Sequence, residues 1–593
     1  MTRTSLILGC SALLLTSAAP APLIAQRVAP PPDDDSPVRC RPQQPDTYTY
    51  APTPVAPMPR PGKGKKPRRD ESSRDVVVTG SRIDTRAAPV PTYAPPPPPP
   101  SMMAPPPVAA MGYSSNAPVY GSPQNTERYD GQAVASIKAV TDAPVSTFSV
   151  DVDTGSYANV RRFLTDGNMP PPQAVRTEEM INYFRYDYPR PTDRTQPFSV
   201  TTDVSKTPWN PNTRLLRIGL RGYDVATGDR PRANLVFLVD VSGSMSSPDK
   251  LPLVKTALLK LADRLRADDR VSIVVYAGNA GLVLEPTSDK RWVKAALDCL
   301  SAGGSTAGGA GIKLAYDTAR ANFVRGGINR IFLATDGDFN VGVSDNKALE
   351  EMVKANREDG ITLTTLGFGQ GNYNDAMMER IADVGNGNYA YIDSEREAEK
   401  VLDDELSATM LTIAKDVKVQ VEFNPAAVKE YRLIGYENRA LAEEDFNNDA
   451  VDAGDMGAGH QVTALYEIVP AGGPGWLPDR RYPANGRRAG PAPVGSGELA
   501  FVKLRYKLPE GGPSRLISRP VPSLLLRTAA FPTGDMAFVT AVAAFGQKLR
   551  GDKYLGSYSY ADVTRLAGSP GGYWRQEFVR LTDIAARKVP TSD

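Results

Sequence analysis

Between residues 233 and 410 the hydrophobic pattern of the chain alternates between two forms. Short apolar runs at 235–239, 271–276, 330–334, 362–367 and 389–392 have the length of buried strands. Between them, apolar positions recur three and four apart over 251–265, 290–300, 309–323, 347–357, 375–384 and 395–408, which predicts helices. Strand followed by helix, repeated with short loops, predicts a mostly parallel sheet with helices on both faces.

On either side the period drops to two. "FSVTTDVSKTPW" and "RLLRIGLRGYDV" precede the block, and "KDVKVQVEFNP", "EYRLIGYENR", "HQVTALYEIVP" and "GELAFVKLRYKLPE" follow it. These read as half-buried strands. Helical patterning at 156–164, 174–184 and 535–549, and again near 574–587, completes the pattern, and a Gly/Pro-rich loop spans 471–497. The fold class expected is α/β, a Rossmann-like domain inserted in or flanked by a β-rich domain. The organisation expected is a leader at 1–25, a disordered Pro-rich linker at 26–138, a helix-and-strand region at 139–232, the α/β domain at 233–410 and a β-rich region with terminal helices at 411–593.

Composition narrows the chemistry. With 41% hydrophobic residues in 593, a sizeable core can form, and a net charge of +2 gives no argument for nucleic acid. The first residues, "MTRTSLILGCSALLLTSAAPAPLIAQ", have the short basic start, apolar stretch and small residues of a secretory signal. Export to the periplasm or cell envelope is therefore expected. Lipidation at Cys10 ranks second, because only five apolar-segment residues precede it. No later stretch is long and apolar enough to span a bilayer. Cys40 and Cys299, the other two cysteines, are expected to stay unpaired. A single histidine, His460, excludes multi-histidine zinc sites and argues against histidine acid–base catalysis.

The linker holds proline runs that cannot bury enough apolar surface to fold. Its basic run "PGKGKKPRR" reads as solvated charge. Its stretch "DVVVTGSRIDT", from Asp75 to Thr85, resembles a segment near the plug of TonB-dependent outer-membrane receptors. That resemblance implies a TonB-related partner bound by strand addition, although an isolated extended stretch is the reading the residues favour.

Candidate chemistry sits where the strands end. In an open parallel sheet, ligands bind at the carboxyl ends of the strands. Three stretches fall there: Asp240-Val-Ser242-Gly-Ser244, the loop "GGSTAGG" with Thr306, and "ATDGD" with Asp336. Two carboxylates and three hydroxyls are hard oxygen donors, which suit Mg²⁺. They would leave a coordination position for water or for a partner's carboxylate.

These three parts resemble the metal-ion-dependent adhesion site of von Willebrand factor type A domains. The resemblance implies Ser242, Ser244 and Thr306 as hydroxyl ligands, with Asp240 and Asp336 direct or through water. The cofactor implied is Mg²⁺, with Mn²⁺ or Ca²⁺ as alternatives. The flanks "STFSVDVDTGSYANVRRFL", "EEMINYFRYDYP", "DAVDAGDMGAGHQVTALYE" and "GQKLRGDKYLGSYSYADV" extend the likeness to bacterial YfbK-type proteins. The function implied is a non-enzymatic binding, adhesion or scaffolding protein. It would recognise a protein partner whose acidic side chain completes the metal shell, with grip coupled to the helix at 395–408. The alternative is a structural metal, with the flanking regions or the linker mediating assembly in the envelope. A hydrolase using the cation as Lewis acid is disfavoured, since no nucleophile or general base accompanies the ligands.

Other readings of the same residues are weaker. Asp240, Ser242 and Ser244 could cap the next helix. "GGSTAGG" lacks the Gly-Lys-Ser/Thr ending of a phosphate loop. "DVDTGS" reads as a turn capping the helix at Ser156, His460 as structural, and Asp338 as standing behind the ligands at most.

Overall fold

The structure is a computed structural model describing residues 37–40, 125–191, 195–306, 308–337, 346–404, 408, 410–478 and 497–588. The leader with Cys10, the basic run, the Asp75 to Thr85 stretch, Asp338 and most of the 471–497 loop lie outside the described residues.

The alternating block forms a six-stranded sheet. Its order is Tyr389–Ile392, Thr362–Phe368, Ile328–Thr335, Ala233–Asp240, Arg270–Tyr276, Ala280–Thr287. Neighbours run parallel except for the last pair. Every residue from Ala233 to Asp240 is buried, as a strand covered on both faces requires. Leu235, Phe237 and Val239 share a core with Leu258 and Leu261 of the helix Leu251–Arg264. Val236 and Leu238, on the other face, join Ile312, Ala315 and Tyr316 of the helix Gly308–Ala321. That is the period of two expected of a strand.

Two elements differ from expectation. The antiparallel edge strand Ala280–Thr287 was not expected, because "AGLVLEPT" is short of β-branched residues and owes its pairing to the neighbouring strand. The helix expected at 395–408 is α-helical over Glu395–Glu399 and continues as a π turn over Lys400–Asp404, and residues 405–407 lie outside the described residues.

The flanking strands from both sides of the block pair with one another. Asn210–Gly222 lies against Gln461–Pro470, and Val145–Ser149 against Thr412–Phe423. The α/β domain is thus inserted in a β-rich frame. The two frame sheets enclose a core that includes Phe148, Ile218, Val419, Tyr466 and Val502. Helices Gly155–Thr165, Gly534–Leu549 and Tyr573–Lys588 gather around Tyr157, Phe545 and Phe578. The strand Arg515–Pro522, also unexpected, carries Pro520 and Pro522 and is an edge strand, where a missing N–H costs least.

The linker expectation is too long at both described ends. Thr126 N and Arg128 N donate to the carbonyls of Gly371 and Tyr373 at 2.7 and 2.9 Å, and residues 37–40 lie along the Ala280–Thr287 edge. A proline-rich composition prevents a core from forming, but it does not prevent short extended segments from docking on one.

The junction between block and frame is built from buried arginines. The Arg161 guanidinium donates to Asp393 at 2.5 and 2.7 Å, to Glu397 at 2.7 Å and to Glu577 at 3.1 Å. Arg176 pairs with Asp375 at 2.5 Å. Arg439 lies 3.3 and 3.2 Å from Asp151 and Asp153. "DVDTGS" is therefore not a helix cap. Thr154 makes no side-chain cap bond, and Asp153 accepts from Tyr389 N at 2.7 Å across the junction. His460 is structural: its Nδ1 accepts from Gly457 N at 3.1 Å.

Candidate metal centre

The strand Ala233–Asp240 carries Asp240 to the end of the sheet, where the chain turns through Ser242 into a short 3₁₀ segment, Gly243–Ser246. Asp240 is fully buried. Its Oδ1 accepts from Ser242 N at 2.8 Å and its Oδ2 from Thr335 Oγ1 at 2.9 Å. The first bond folds the turn back on the carboxylate, and the second ties it to the neighbouring strand. Ser242 Oγ and Ser244 Oγ lie 3.0 Å apart. Ser242 is buried and Ser244 exposed, so the hydroxyl pair runs from the interior to the surface next to the buried carboxylate. None of these three residues caps the following helix. That helix begins after Lys250, which makes no side-chain cap bond.

The loop with Thr306 is bound to this turn through its backbone. Gly243 N donates to Gly304 O at 3.0 Å, and Gly303 N to Val241 O at 2.8 Å. Gly304 has φ +86°, a left-handed conformation that suits glycine. Thr306 itself is half-buried.

Asp336 follows the strand Ile328–Thr335 and is fully buried. Its Oδ2 accepts from Lys250 Nζ at 3.0 Å and from Asn372 Nδ2 at 3.0 Å, and Lys250 Nζ also donates to Asn372 Oδ1 at 2.7 Å. Lys250 is 5% exposed, with its stem pressed against Gly369, where a Cβ would come 2.3 Å from Lys250 Cε. Sequence reasoning missed Lys250 and Asn372. The "SSPDK" that carries the lysine reads as a loop, and nothing local ties Asn372 to Asp336.

Burial pushes Asp240 up to about 6, and the nearby Asp336 carboxylate adds to the rise. The bonds from Ser242 and Thr335 oppose it. Two carboxylates share this floor with one ammonium, so the site keeps a net negative charge that a cation would neutralise. Among the described residues no three His, Cys, Asp or Glu side chains gather as a metal cage. The donor set is two carboxylates plus hydroxyls. Adjacent ligands of an octahedral Mg²⁺, each about 2.1 Å from the ion, stand about 3.0 Å apart. The two serine hydroxyls have that spacing, so the residues present fit a hard cation.

Beside the centre runs a cleft of about 760 Å³ lined by Arg162, Asp249, Gly369, Tyr391, Arg396 and Arg580, among others. Its lining carries both signs of charge, so the cleft alone selects neither acidic nor basic ligands.

Residues 234–404 match the von Willebrand factor type A domain family. Residues 408–587 match the family described as "Uncharacterized protein YfbK, C-terminal", and residues 123–217 match one described as "von Willebrand factor". The uncharacterized protein YfbK of Escherichia coli (strain K12) is 48% identical over 473 residues, covering 78% of this chain and 81% of that protein. The chain belongs to the YfbK family. A second relative, the uncharacterized protein sll0103 of Synechocystis, is 28% identical over 54% of this chain and 73% of its own length. The solved structure of a conserved hypothetical protein, BatB of Bacteroides thetaiotaomicron, is 26% identical, with a TM-score of 0.26, over 30% of this chain and 97% of its own. The YfbK match spans both the inserted domain and its frame.

Proposed function

We propose that this chain is an exported, non-enzymatic binding protein of the bacterial envelope. It holds one divalent cation, Mg²⁺ first and Mn²⁺ or Ca²⁺ as alternatives, at Asp240, Ser242, Ser244, Thr306 and Asp336. Through that cation it grips an acidic side chain of a protein partner. The observation that carries this reading is the hydroxyl pair, 3.0 Å apart, with Ser244 exposed and Ser242 buried next to the buried Asp240 carboxylate. Hydroxyls are neutral ligands, so the ion keeps most of its charge and attracts a partner's carboxylate. Asp336 supports the same reading, because Lys250 already neutralises part of its charge.

The test is affinity capture from a cell-envelope extract with wild-type chain in Mg²⁺, wild-type chain in EDTA, and Asp240→Ala checked for folding by circular dichroism. A partner retained only by the wild type in Mg²⁺ is the expected result. The same partner in all three arms would move recognition to the flanking regions and leave the cation a structural part.

A further inference from the structure

Residues 37–40 are attached to the body along one strand of the six-stranded sheet. Residues 37–40 form an antiparallel bridge with the exposed side of the Ala280–Thr287 strand: Arg39 N donates to Val283 O at 2.8 Å, and Glu285 N donates to Pro37 O at 3.2 Å. Between these bonds Val38 is 5% exposed and enters the same core as Leu284, Val293 and Ala296. Arg39 pairs with Glu285 at 2.5 Å on the surface. An edge strand presents unpaired backbone groups, and this segment covers some of them. Beyond Cys40 the segment continues into a proline-rich stretch.

The next residue is Cys40. It lies within hydrogen-bonding reach of Cys299, which ends the helix Lys290–Asp298. Both thiols are free in this structure; Cys40 is exposed and Cys299 half-buried. Apart from Cys10 they are the only cysteines in the sequence, and the fold brings them together across 258 intervening residues. Burial, with Cys40 beside it, pushes the Cys299 thiol up to about 12. A raised value keeps Cys299 a thiol near neutral pH, and Cys40 is the more accessible of the two.

We propose that Cys40 and Cys299 form a disulfide that locks residues 37–40 onto the sheet edge. The oxidant is a protein or small-molecule disulfide. The Cys40 thiolate attacks one oxidant sulfur, forming a mixed disulfide and expelling the other sulfur as thiolate. Cys299 then gives its proton to solvent and attacks the Cys40 sulfur, expelling the second oxidant thiolate. Two protein thiols are oxidised, one oxidant disulfide is reduced to two thiols, and the two protons released are taken up by the expelled thiolates. The bond converts residues 41–124 into a closed loop, because the chain rejoins the body at Thr126 and Arg128. They bond to Gly371 and Tyr373, on either side of the Asn372 that holds Asp336.

The test uses the full chain carrying Cys10→Ser, so that only the two cysteines remain. The reduced protein is exposed to oxidised glutathione, alkylated, and digested without reduction for mass spectrometry. The expected product is monomeric and dominated by the linked Cys40–Cys299 peptide. In the oxidised form, hydrogen exchange at Arg39 and Glu285 should slow by at least tenfold. A Val38→Asp variant, which undocks the segment, should form the bond at least tenfold more slowly. Glutathione on Cys40 with Cys299 still alkylated, intermolecular dimers, or an unchanged rate in Val38→Asp would each overturn the proposal.

Discussion

At the scale of single residues, Lys250 is the most informative side chain near the cation centre. Its ammonium donates to Asp336 Oδ2 and to Asn372, inside the fold. Removing one partner of a buried ion pair leaves an uncompensated charge, which costs about 3–5 kcal/mol. Lys250→Met is therefore expected to lower the stability of the metal-free chain by that order. Mg²⁺ should restore more of it than in the wild type, because the ion takes over the neutralisation of Asp336. Thermal unfolding across a Mg²⁺ titration checks this, and an equal Mg²⁺-induced shift in both proteins would count against it. Glu178 gives a pH prediction away from the site. Burial, then the Glu437 and Asp151 carboxylates, push it up to about 7, and its Oε2 has no hydrogen-bond partner among the described residues. A raised value means that the fold prefers the protonated form. Its stabilisation is complete below the ordinary carboxylate range and is lost as pH rises through about 7. Glu178→Gln, which imitates the protonated group, should change little near pH 5 and should stabilise near pH 8 by about 3 kcal/mol. Denaturant unfolding at the two pH values decides, and the expectation fails if no gain appears on the alkaline side.

At the scale of elements, the junction arginines matter most. Arg161 links the helix Gly155–Thr165 to Asp393 and Glu397 in the inserted domain and to Glu577 in the helix Tyr573–Lys588. Its removal strands three nearly buried carboxylates, so Arg161→Met should cost about 3–5 kcal/mol in urea unfolding. A loss under 1 kcal/mol would show that the ring stack around Tyr157 and Tyr183 holds the junction instead. The same clamp bears on the helix at Glu395–Glu399, which resemblance suggests as a moving part: Arg161 holds its Glu397 at 2.7 Å. The elements of the inserted domain were legible because buried strands and amphipathic helices differ in period. Among strands of five residues or more, three were missed: Ala280–Thr287 and Arg515–Pro522 end their sheets, and Val145–Ser149 is only five residues long. Asp240, Ser242 and Ser244 were legible because they share one five-residue turn. Lys250 and Asn372 were not, because their meeting spans 122 residues, and the Arg161–Glu577 contact spans 416.

At the scale of the whole molecule, the inserted domain has both of its ends in paired frame strands, and the cation centre stands at the end of its sheet. Sequence period indicated the insertion, and the pairing of Val145–Ser149 with Thr412–Phe423 makes it explicit. Buried ion pairs of Arg161, Arg176 and Arg439 join the two parts beneath the proposed partner-binding centre. The proposed function requires above all that a divalent cation bind at the serines and the two carboxylates. Isothermal titration of the purified chain with Mg²⁺ near neutral pH, repeated with Asp240→Asn and Ser244→Ala, measures it directly. One equivalent bound by the wild type, lost in Asp240→Asn and weakened at least tenfold in Ser244→Ala, is the predicted result. No binding to the folded wild type, or undiminished binding in both variants, would contradict it.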